Sequence, residues 1–156
     1  MTVATATTVT TATQEALALL VTRYNTLGES SLPALLAGYA ENAHFKDPFN
    51  DVTGRGEIER IFRHMYATLE RPVFSIQQSL AGERDAMLRW DFRFGLNGRA
   101  FVVPGSTALR FDERGVVIDH VDFWDPTETL WSHLPVVGVP VRWLRRRFSS
   151  AEFNHD

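Results

Sequence analysis

The stretch LRWDFRFGLNGRAFVVPGSTALRF, residues 88–111, is a β-hairpin spelled out in side chains. Leu88, Trp90, Phe92 and Phe94 alternate with Arg89, Asp91 and Arg93, the period of a strand with one buried and one solvated face. Asn97-Gly98 supplies two residues that tolerate positive φ, as a type I′ turn demands. A second strand runs from about Ala100 to Phe111, and Val103, Gly105, Thr107 and Leu109 share one of its faces.

Working outward, Asp112-Glu113-Arg114-Gly115 turns the chain into a last strand, Val116 to Trp124. Parity carried through that turn puts Ile118, His120, Asp122 and Trp124 on the face of Thr107. On the other side, the period of two reaches back to Pro72 through Phe74, Ile76 and Gln78. Before that the period is helical. Ile58, Ile61, Phe62, Met65, Tyr66 and Leu69 make an amphipathic helix starting near Gly56. Thr13 caps a first helix carrying Leu17, Leu20 and Tyr24, which Gly28 ends. Ser31 caps a short second helix with Pro33 in its first turn and Leu35, Leu36 and Tyr39 on one face. His44 to Asp47 is a short strand stopped by Pro48, and Asn50, Asp51 and Gly54 form the loop after it. Helices gathered ahead of an antiparallel meander predict an α+β fold.

The 156 residues suit one core. The expected organisation is a disordered tail at 1–12, a domain at 13–125, a C-terminal helical extension packed on it at 126–148, and a tail at 149–156. A net charge of −3 argues against nucleic acid as a partner. With no cysteine, thiolate chemistry and Cys-based metal sites are excluded. No HxH, HExxH or EF-hand spacing is present, so neither a metal nor a cofactor is expected. The start of the chain lacks the charged and apolar regions of a signal peptide, and no apolar run is long enough to span a bilayer, so the cytoplasm is the default location. The segment Arg142 to Phe148 reads either as aromatic residues packed on the domain with solvated arginines, or as contact with an anionic membrane surface.

Six strings, in this order, carry a resemblance: Arg23-Tyr24; Leu36 to Ala43; Lys46-Asp47-Pro48-Phe49; Gly54-Arg55; Arg110 to Glu113 with Gly115; and Phe123-Trp124. They resemble the ketosteroid isomerase-like, or nuclear transport factor 2-like, superfamily and its SnoaL-like proteins over roughly residues 15–125. The resemblance implies a cone-shaped, curved antiparallel sheet with a mixed edge, wrapped around three N-terminal helices. It implies Asp47 as a proton-shuttling base and Tyr24 as a donor to the substrate oxygen. It also implies a homodimer through the outer sheet face. Thr107 stands where the isomerase has a protonated aspartate, which argues against true steroid isomerisation.

Tyr39, Phe62, Leu88, Trp90, Phe92, Val103, Thr107 and Trp124 are the expected pocket wall for a small apolar molecule. Asp47 reads equally as the cap of an Asp-Pro turn, and Tyr24 as a core tyrosine. His120 and Asp122 stand two apart and form an acid/base pair if inward; one β-bulge would instead turn both to solvent. A buried Asp122 needs a partner. The chemistry this set can serve is isomerisation, cyclisation, dehydration or epoxide hydrolysis. The alternative is a non-catalytic hydrophobic ligand-binding or dimeric interaction module of the same fold.

Overall fold

The computed structural model describes residues 11–126. Helix α1, Thr11–Asn25, buries Leu17, Leu20 and Tyr24. It is already helical at Thr11. Thr13 is not a cap. It is buried within the helix, and its hydroxyl donates to the carbonyl of Glu83 at 2.7 Å, tying α1 to a strand-connecting turn. Residues 1–10 lie outside the described residues. So do the expected extension, apart from Pro126, and the final tail.

A 3-10 turn, Glu29–Ser31, leads into α2, Leu32–Leu36, with Pro33 in its first turn. Tyr39, expected on this helix, instead opens strand β1, Tyr39–Lys46. The helix stops because the sheet captures the chain: the amide of Val117 donates to the carbonyl of Gly38 at 2.9 Å. The expected loop at Asp51 is a three-residue strand, β2, Asp51–Thr53, antiparallel to β1. Helix α3, Arg55–Thr68, turns Ile58 and Phe62 into the core. Burial of side chains this size contributes about 1.5–3 kcal/mol each.

Four long strands complete the sheet: β3, Glu70–Ala81; β4, Asp85–Leu96; β5, Arg99–Phe111; and β6, Val117–Phe123. Asn97 and Gly98 have φ of 51° and 73°, the positive values a two-residue hairpin turn requires. Strand order is β2-β1-β6-β5-β4-β3. Only the β1–β6 pairing is parallel, so the sheet is mixed and open, within the expected α+β class.

Register sets out the inner face row by row. Phe45, His120, Leu109 and Ala86 form one row. Asp122, Thr107 and Leu88 form the next, followed by Gly105, Trp90 and Ile76, then Val103, Phe92 and Phe74. Ile118 drops out of the expected set. A bulge between Arg110 and Phe111 sets Val117, not Ile118, opposite Phe111. The bulge lies before His120, so His120 and Asp122 stay on the Thr107 face.

Candidate functional site

The inner face would be wholly apolar but for a line of polar groups through its middle. Strand β6 supplies His120 and Asp122, β5 Thr107, β4 Trp90, β1 Tyr39 and α1 Tyr24. These six side chains are joined end to end. Trp90 Nε1 donates to Thr107 Oγ1 at 2.8 Å, and that hydroxyl donates to Asp122 Oδ1 at 2.5 Å. His120 Nε2 lies 2.8 Å from the same oxygen. Its Nδ1 lies 2.8 Å from Tyr39 Oη, which lies 2.8 Å from Tyr24 Oη. Alternation alone leaves His120 and Asp122 side by side; here the two side chains lean together and bond directly.

Burial is deep. His120 is 2% exposed, and Phe45 lies against its ring with centroids 4.7 Å apart. The Asp122 side chain keeps 16% of its surface exposed, the more open end of the pair. Burial pushes both tyrosine hydroxyls well above their ordinary range. At Tyr24 the nearby Tyr39 and Asp122 push the same way; at Tyr39 the Tyr24 bond opposes. Both phenols therefore stay protonated.

A cavity opens beside this chain of groups. Tyr24, Trp90, Thr107, His120 and Asp122 line it together with Phe62, Phe74, Ile76 and Leu88. Its free volume is about 20 Å³, room for one water molecule. Phe74 and Ile76 were missing from the expected wall. Both come from β3, whose period of two is interrupted by a bulge between Ile76 and Gln78, and that irregularity masks their alignment with Trp90. Phe45 was missed because it sits in a string read for its aspartate.

Other expected site residues lie elsewhere. Asp47 does not reach this cavity. Its Oδ1 accepts the amides of Phe49 and Asn50, each at 2.7 Å, and the Asn50 side-chain amide reaches both oxygens. Pro48 blocks strand continuation, and the carboxylate closes the resulting turn. Trp124 packs edge-on against Phe49, with centroids 5.3 Å apart. Phe92 stacks on Phe74 at 4.3 Å, and Val103 is buried opposite it; neither lines the cavity. Tyr39 stands behind the wall, touching it through Tyr24 and His120. Among the described residues no group of three or more carboxylates and histidines is placed to hold a metal ion. No helix among them is long and apolar enough to cross a membrane.

Helices on one side of an open mixed sheet, with a pocket between, define the ketosteroid isomerase-like class. A family model described as a SnoaL-like domain matches residues 21–120, and the chain belongs to that family. Solved structures agree on the fold. A nuclear transport factor 2-like protein of unknown function from Burkholderia pseudomallei K96243 is 15% identical with a TM-score of 0.66, over 76% of this chain and 95% of its own. A ketosteroid isomerase-like protein from Catenulispora acidiphila, in complex with trimethylamine, is 18% identical at TM-score 0.63, over 84% and 98%. A candidate polyketide cyclase from Xanthomonas campestris is 15% identical at TM-score 0.63, over 76% and 96%. A comparison with curated proteins finds no match.

Proposed function

We propose that this chain binds a small, largely apolar molecule in the cavity beside Asp122 and performs acid/base chemistry on it, as an isomerase, cyclase, dehydratase or epoxide hydrolase. One observation carries the reading. Asp122 Oδ1 is held by two donors, Thr107 and His120, while no hydrogen bond among the described residues reaches Oδ2. A carboxylate pinned through one oxygen presents the other in a fixed direction, the arrangement a general base needs. His120 orients it, and Tyr39 in turn orients His120. Asp47 has no part, since its oxygens close a turn. The similarity to a candidate polyketide cyclase suits proton transfer on an apolar body.

Small cyclic β-hydroxyketones test this, because they carry both a hydroxyl and an acidic C–H. Solvent deuterium incorporation, followed by NMR in D2O, should proceed with the wild type. It should fall by about a hundredfold to ten-thousandfold in Asp122→Asn. If no such compound exchanges, while wild type and Asp122→Asn bind them equally, the site is not catalytic.

A second reading has its own observation. The polar groups are bonded to one another rather than left free for a reacting atom, beside a free volume of about 20 Å³. A non-catalytic binding module fits that state. Either way we propose that the protein pairs with a second copy through its outer sheet face. There Leu80, Met87, Val102 and Phe123 are 62%, 45%, 53% and 54% exposed.

A further inference from the structure

The hydrogen bonds of the site converge on Asp122 from both ends, and the chemistry of the groups fixes their sense. An indole N–H only donates, so Thr107 accepts from Trp90 and must give its own proton to Asp122. A carboxylate only accepts, so His120 Nε2 carries the proton shared with Asp122. In a neutral imidazole Nδ1 is then bare. It accepts from Tyr39, whose oxygen accepts from Tyr24. Every donor proton in the chain thus ends inside the protein. The remaining wall residues, Phe62, Phe74, Ile76 and Leu88, have no side-chain donor. Among the lining side chains, the polar capacity left over is acceptor only: a lone pair of Tyr24 Oη and the second oxygen of Asp122.

We infer that this cavity selects a molecule that brings its own hydrogen-bond donor, a hydroxyl or protonated amino group on a small apolar body, and discriminates against one whose only polar atom is a carbonyl oxygen. The inference rests on reading this cavity as the ligand site. A carbonyl placed here finds no partner and meets a carboxylate, so its oxygen loses the hydrogen bonds it had in water. A donor group satisfies Asp122. The aromatic faces of Tyr24, Phe74 and Trp90 add attraction for a cation.

Cyclopentanol, cyclopentylammonium and cyclopentanone share a shape and differ in this one respect. Their binding to the full chain is measured by ligand-observed NMR, with the His120 ring state read from its own resonances. With His120 neutral, the alcohol and the ammonium should bind at least about tenfold tighter than the ketone. Tyr39→Phe should raise ketone binding about tenfold relative to alcohol binding, because Tyr24 no longer has Tyr39 as acceptor. A purely structural Tyr39 would weaken all three. If that variant does not fold, the wild-type ranking of the three compounds decides. Ketone binding equal to the alcohol with His120 neutral overturns this inference alone. Binding of none of the three overturns the cavity as a ligand site and this inference with it.

Discussion

Two histidines on neighbouring strands illustrate how one residue type takes opposite roles. His120 faces inward. His44, on β1, faces outward, with Nδ1 2.6 Å from Asp119 and Nε2 2.8 Å from Asp51. Those two hydrogen bonds, Asp51 first, hold the His44 pKa above its ordinary value near 6.5, against a small opposing effect of burial. A neutral ring donates from only one nitrogen, so deprotonation strips one carboxylate of its donor. The folded pKa is raised, so the stabilisation is complete below about pH 6.5 and is lost as pH rises through the folded value. The pair is more than a third exposed, so the effect is small: Tm should drop by about 1–3 °C across that window. Thermal unfolding of His44→Asn should show no such step; an identical step in the variant would assign it to another group. At this scale the chain was only partly readable beforehand. Strand parity placed His120 and Asp122 together on the inner face. It had no means of placing Tyr39, 81 residues away in sequence from His120, beside that ring, because a parallel pairing of β1 with β6 brings them together.

The β4–β5 hairpin shows how an element builds the site. Its two strands pair without interruption from Asp85–Arg110 to Leu96–Arg99, as the alternation and Asn97-Gly98 foretold. The role of Gly105 was not legible, since glycine in a strand reads as a weak point. Here it is a socket: a Cβ at this position would fall 2.2 Å from the Trp90 ring. With Gly105 in place, the indole lies flat over β5 and its N–H meets Thr107. Gly105→Ala should therefore expel the ring, lower stability by about 1–3 kcal/mol in denaturant titration, and free the Thr107 hydroxyl. Trp90→Phe in the same background should recover part of that loss, because the smaller ring needs less of the socket. If Gly105→Ala unfolds like the wild type, the indole has another resting place and the socket account fails. The shorter elements were less readable for a simple reason. Strand β2 has three residues, too few for its period to declare itself, and its form is set by pairing with β1; α2 was announced by Ser31 and Pro33, but not its end before Tyr39.

Across the whole described sheet, the face turned away from Trp90 and His120 carries its own rows. Leu80, Met87, Ala108 and Val121 lie directly opposite one another on four consecutive strands, β3, β4, β5 and β6. Gln78, Arg89, Ser106 and Phe123 form the next row, then Ser75, Asp91 and Pro104, then Val73, Arg93 and Val102. Several of these side chains stand exposed, among them Val73, Leu80, Met87, Val102 and Phe123. The apolar row of Leu80, Met87, Ala108 and Val121 at one end, with Arg89, Asp91 and Arg93 in the rows beyond it, makes a surface that carries both signs of charge and can meet a copy of itself. A two-fold pairing needs the same patch on both partners, which this face supplies. A stable interface of about 800 Å² per partner needs most of this face, so single rim changes should do little and central ones much. Light scattering should give twice the 17.7 kDa chain mass. Met87→Asp, at the centre of the apolar row, should halve it with an unchanged circular dichroism spectrum, whereas Val73→Asp at the edge should leave the pair intact at working concentration. A wild-type mass of one chain would remove the pairing outright. Loss of pairing in both variants alike would move the contact to the Val73 end of the sheet.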